Sequence, residues 1–64
     1  MSAHDWKQEY LSLVSDCETR DKRMTDWEKE FIASMRRQLE EGRRPSPKQV
    51  DVLDRVWEKV TKRG

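Results

Sequence analysis

The sequence predicts an all-α fold, a small three-helix bundle with helices over about residues 4–20, 25–41 and 47–62. Three observations predict it. Apolar residues recur at spacings of three and four rather than two, which is the signature of one-sided helices. Two helix-start signatures, T-x-x-E at Thr25 and S-x-x-Q at Ser46, each stand directly before an apolar stripe. Between them, Gly42, Pro45 and Pro47 punctuate a single turn.

That turn is the most sharply specified stretch. Gly42 lacks a Cβ and is suited to the left-handed conformation that closes a helix. Ser46 is placed to cap the next helix, with Pro47 at its first position and Gln49 completing the capping box. Pro45 and Val50 occupy the positions of a hydrophobic staple across the same cap.

The first helix carries Trp6, Tyr10, Leu13, Val14 and Cys17 on one stripe, with Ser2 and Asp5 as candidate N-caps. Asp16–Arg20 and Glu18–Lys22 are i,i+4 pairs in the favourable order. The second helix starts at the Thr25 box and shows Trp27, Phe31, Met35 and Leu39 at period four, flanked by Met24, Ile32 and Gln38. Arg36–Glu40 and Arg37–Glu41 are further i,i+4 pairs. The third helix buries Val50, Leu53, Val56, Trp57 and Val60, with Asp51–Arg55 and Glu58–Lys62 as surface pairs.

No glycine or proline interrupts residues 1–41, and a heptad phase runs through Trp6, Tyr10, Leu13, Cys17, Arg20, Met24, Trp27 and Phe31. One long coiled-coil helix is therefore the alternative to a break. The polar Asp21-Lys22-Arg23 run and the Thr25 capping box favour the break.

Sixty-four residues make one domain, residues 1–64, with 33% hydrophobic and 42% charged residues. A chain this short buries only about 60% of its unfolded surface. The core must be thin, and the large aromatics, three tryptophans among them, lean towards a dimer. In one form of that dimer the last two helices make a hairpin and the first docks on a second copy. The net charge is +1, but residues 42–64 carry +4 and the remainder −3. No apolar run approaches the ~18–20 residues of a membrane span, and no signal-peptide core opens the chain. With a single, unpaired cysteine, the expected setting is the cytoplasm.

Catalytic chemistry has little footing here. His4 has no motif partner, and Cys17 sits on an apolar stripe where a thiol behaves as a small hydrophobe. Asp26, Glu28 and Glu30 read as the ordinary acidic response to a helix N-terminus rather than a metal or acid–base cluster. No glycine-rich loop is present to hold a phosphate. The expectation is a non-enzyme with no catalytic residue, metal, cofactor or small-molecule substrate.

Two binding chemistries have more substance. An exposed aromatic near arginine is the composition of interaction hot spots, and Trp6 and Tyr10 on the first helix are the expected contacts for a protein partner or a second copy. Alternatively, Arg36, Arg37, Arg43, Arg44 and Lys48 cluster around the turn and could contact nucleic-acid phosphates. Against this, Asp51, Asp54 and Glu58 on the third helix would face a phosphate backbone unfavourably.

The combination Trp27-Glu28-x-x-Phe31, Leu39-x-x-Gly42-Arg43 and Ser46-x-Lys48-Gln49-x-x-x-Leu53 resembles small helical proteins encoded by phages and prophages. Similar helical segments are attached to some phage replication and DNA-processing proteins. The resemblance covers roughly residues 25–60. It implies an accessory or regulatory protein acting on DNA metabolism or on a host protein complex, in the bacterial cytoplasm, and it transfers no catalytic residue.

Overall fold

The computed structural model describes residues 5–62. Three helices, α1 (Asp5–Thr19), α2 (Asp26–Glu40) and α3 (Pro47–Thr61), follow in order, with a 3₁₀ turn at Asp21–Arg23 between the first two. Among the described residues there is no strand. The expected first-helix start at residue 4, the candidate cap Ser2 and His4 lie outside the described residues, and Asp5 stands inside α1.

The first two helices are separate, and local chemistry separates them. The Thr25 hydroxyl accepts from the Glu28 backbone N–H at 3.2 Å, while the Thr25 N–H donates to Glu28 Oε1 at 2.8 Å. This reciprocal pair satisfies donors that would otherwise be orphaned at the start of α2. Across the bundle, Arg23 Nη1 donates to the carbonyls of Val60 at 3.2 Å and Lys62 at 2.8 Å. The turn therefore caps the open carbonyl end of α3 with a cation, where both charge and hydrogen bonding favour it.

Because α1 stops at Thr19, Lys22 no longer stands one helical turn above Glu18, and the expected Glu18–Lys22 pair is replaced by Glu18–Arg36. Nor do Asp16 and Arg20 pair through their side chains. Arg20 donates to the Asp16 backbone carbonyl at 3.0 Å, and the Asp16 carboxylate accepts from Trp57 Nε1 at 3.1 Å. Arg36–Glu40 and Asp51–Arg55 form as expected, both at 3.4 Å. Glu41 turns to Arg43 instead of Arg37, and among the described residues Lys59 rather than Lys62 pairs with a carboxylate, that of Glu28.

The α2–α3 turn closes as its residues suggest. Gly42 has φ +82°, the left-handed region. The Arg43 N–H reaches the Gln38 carbonyl at 3.0 Å and the Gly42 N–H reaches Leu39 at 2.9 Å, the paired bonds of a Schellman motif. Ser46 and Gln49 form the second capping box, and Pro45 is buried beneath it.

The core comprises Val14 and Cys17 from α1, Met24 from the turn, Ile32, Met35 and Leu39 from α2, and Leu53, Val56 and Val60 from α3. Trp6, Tyr10, Leu11, Leu13, Phe31, Val52 and Trp57 pack around it, half-buried. Close backbone approaches between elements are concentrated between α1 and α2 and between α1 and α3. So α1 belongs to the bundle and is not an appendage of an α2–α3 hairpin.

One expected stripe is corrected. Met35 and Leu39 are buried together with Ile32, but Trp27 is 61% exposed. A strict i+4 row rotates by about 40° per step around a helix of 3.6 residues per turn, so Trp27 ends about 120° from Leu39. Ile32, placed as a flank in the sequence, closes the core in its stead.

Two substitutions measure this architecture in urea unfolding. Leu39→Ala is expected to cost about 2–5 kcal/mol through the cavity it leaves, enough to unfold much of so small a domain. At Gly42, nothing lies within 4 Å of an added Cβ, so Gly42→Ala carries only the backbone strain of its positive φ, about 1–2 kcal/mol, with Gly42→Asn costing less. Equal loss from Ala and Asn would contradict the conformational origin.

Candidate functional site

The two ends of the bundle differ in how they treat their aromatics. At the end formed by the start of α1 and the α2–α3 turn, Trp6 and Tyr10 lie with ring centroids 6.4 Å apart at 55°. The Arg44 guanidinium stands 5.4 Å over the Trp6 ring. Both aromatics are half-buried against the core, and the indole face of Trp6 is taken by the chain's own cation. Tyr10 and Leu13 line a shallow recess on the outer side of α1 with Gln8, Glu9 and Ser12.

The basic residues around the turn are not brought together as one group. Arg36 is turned towards α1, where its Nε and Nη2 donate to the two Glu18 carboxylate oxygens at 2.7 and 2.6 Å. Its Nη1 reaches Glu40 at 3.4 Å. A bidentate pair of this kind is the strongest geometry open to a guanidinium, and it holds Arg36 firmly cationic. Arg43 folds back on Glu41 at 2.7 Å, and Arg44 covers Trp6. Arg37 and Lys48 are exposed and enter no ion pair among the described residues.

At the opposite end, α2 leaves a different surface. Trp27 and Phe31 stack nearly parallel, 7° apart with centroids at 5.6 Å. With Glu30 and Ser34 they line a shallow recess on the outside of α2. Phe31 is half-buried against the core and Trp27 rests on it, held but still in solvent. Trp27 is the exposed large hydrophobic residue of the described chain. Sequence reading set it on the same apolar stripe as Met35 and Leu39; the signal that it would part from them was the drift of the period-four row.

Beside this surface, Glu28 has two duties. Its Oε1 accepts both the Thr25 N–H and Lys59 Nζ, the latter at 2.7 Å. These bonds, the lysine's first, hold the carboxyl below its ordinary value of 4.5. Cys17 behaves oppositely. Fully buried, and next to the Asp16 charge, its thiol is pushed up to about 11. At neutral pH it is protonated and is a poor nucleophile.

Among the described residues no group of three or more His, Cys, Asp or Glu is placed to hold a metal ion, and no helix is long and apolar enough to cross a membrane. Comparison with protein-family models, curated proteins and solved structures finds no match. The chemistry the surface offers is adhesive: a supported indole with a carboxylate beside it.

Two measurements check these electrostatics. A lowered folded-state pKa means that the Glu28 contribution is complete above the ordinary value of 4.5 and is lost as pH falls through the folded value below it. Glu28→Gln should therefore be less stable than wild type at pH 7, and the gap should shrink towards pH 3; a gap independent of pH would contradict this. Native Cys17 should react with a thiol reagent at the rate at which the protein opens, and rapidly once urea unfolds it.

Proposed function

We propose that the protein is a non-enzymatic binding module, an accessory or regulatory protein of phage or prophage type. It engages a protein partner through the α2 surface carrying Trp27 and Phe31. The observation that carries this is the 61% exposure of Trp27 on a stacked Phe31. A tryptophan held by its neighbour has little conformational freedom left to lose on binding, and it has a large apolar face still to bury. In a chain with 42% charged residues, that much exposed aromatic surface concentrates binding energy in one place.

Trp27 rather than Trp6 is the anchor we favour, because the Trp6 face is already occupied by Arg44. The phosphate-binding alternative draws less support. Arg36 spends its donors on Glu18 and Glu40, and Arg43 is paired with Glu41. Arg37 and Lys48 would have to carry most of the contact, in a setting that still exposes Asp51 and Asp54 on α3. The buried free thiol suits action in the cytoplasm.

The test is a tagged pull-down from bacterial lysate, with and without nuclease, comparing wild type with Trp27→Ala. Trp27 contributes mainly its stacking to stability, about 0.5–1.5 kcal/mol, so the variant is expected to remain folded by circular dichroism. A stoichiometric protein that survives nuclease and is lost with Trp27→Ala supports the proposal. Capture abolished by nuclease, falling steeply with salt, would transfer the function to the basic turn. Capture indifferent to Trp27→Ala would remove this surface from the account.

A further inference from the structure

We propose that the Trp27 surface takes a basic side chain of the partner protein, an arginine or lysine, seated between the free indole face and the Glu30 carboxylate. The inference rests on the protein-binding function proposed above and adds the chemistry of the partner.

Trp27 presents one face to Phe31 and the other to solvent. The rings stack directly, so a cation approaches from the solvent side and is not sandwiched between them. The same chain shows what occupies an outward indole face when the occupant is supplied internally. At Trp6 it is the Arg44 guanidinium, 5.4 Å from the ring centroid. Among the described residues no cation lies over Trp27. Its indole quadrupole is therefore open to one from outside.

The charges around Trp27 have the matching sign. Asp26 and Glu28 fall in the first turn of α2, where the helix dipole accounts for acids. Glu28 is further neutralised by Lys59. Glu30 lies beyond that first turn, lines the recess with Trp27 and Phe31, and enters no ion pair among the described residues. Its neighbours one turn away are Ser34 and Asp26, so α2 supplies it no cation in either direction. Lys29, the nearest lysine in sequence, is drawn off to Asp21 at 3.6 Å. What is left is an exposed indole with the Glu30 carboxylate beside it, in no ion pair among the described residues. Acidic or phosphorylated partners are repelled by that arrangement. An arginine is favoured most, since its planar guanidinium can stack on the indole while its N–H groups donate to Glu30.

The test follows the three indole N–H signals of the 15N-labelled full chain by NMR. The probes are a short acetylated, amidated peptide bearing two arginines, its citrulline counterpart and its glutamate counterpart. The arginine peptide should shift the Trp27 indole and the Ser34 amide saturably. The Trp57 indole, bonded to Asp16, should stay in place. Glu30→Gln should weaken binding about three- to tenfold, and Trp27→Leu should abolish it.

Equal response to citrulline, shifts centred away from Trp27, or Glu30→Gln binding like wild type would each overturn the inference. So would self-association of the wild type, lost on Trp27→Leu, which would place a second copy on the surface. In the lysate experiment, a partner lost with Trp27→Ala but fully retained by Glu30→Lys would overturn the basic-partner chemistry while leaving the protein-binding function standing. Capture unaffected by either variant would sink both.

Discussion

The seat of α1 between the other two helices is set by how little its buried face protrudes. Val14 and Cys17 are fully buried there, and both are small. Interhelical distance follows the side chains at the contact, so small residues let α2 and α3 approach α1 closely. The bulky residues of α1, Trp6, Tyr10, Leu11 and Leu13, lie off that contact and cover the core's margins half-buried. For a chain with 42% charged residues this division is decisive. The few large aliphatics on α2 and α3 can then meet over one thin core, closed by α1 rather than propped open by it.

Around that core, polar side chains fix the helix ends and their mutual placement with the same atoms. Glu28 caps α2 and holds Lys59 of α3. Gln49 caps α3 through Ser46 and exchanges paired amide hydrogen bonds with Gln38 of α2, both at 3.1 Å. Arg23 caps the far end of α3 from the first turn. Individually such contacts contribute roughly 1 kcal/mol. Their effect is on arrangement: a helix that slid or rotated would lose a cap and a cross-link together.

This double use explains which features the sequence displays and which it hides. Both capping boxes and the Gly42 closure are local, written within four or five residues, and so are legible in the chain itself. The separation of α1 from α2 was legible for the same reason, although the heptad phase crossing the join competed with it. The partners Trp57–Asp16, Arg36–Glu18 and Arg23–Val60 are 18 to 41 residues apart. No spacing rule reaches that far. It is these contacts that took Asp16 and Glu18 away from their expected helical neighbours, gave Arg36 a second carboxylate beyond Glu40, and left the basic turn with fewer free cations than its composition suggests.

The position of Trp27 was hidden by a different cause, and that cause connects the fold to the surface. A row at every fourth residue looks continuous on the page but winds slowly around the helix. Its far end, Met35 and Leu39, enters the core, and its near end, Trp27 and Phe31, emerges beside it. Since Ile32 completes the core on α2, the fold makes little demand on Trp27 beyond its stack with Phe31. One helix thus carries two apolar stripes that share members at their crossing and diverge in purpose. The inner stripe fixes the protein's shape, and the outer one is left facing solvent. A substitution at Leu39 and one at Trp27 remove residues of the same written pattern, yet the first empties the core and the second touches only the solvent-facing surface.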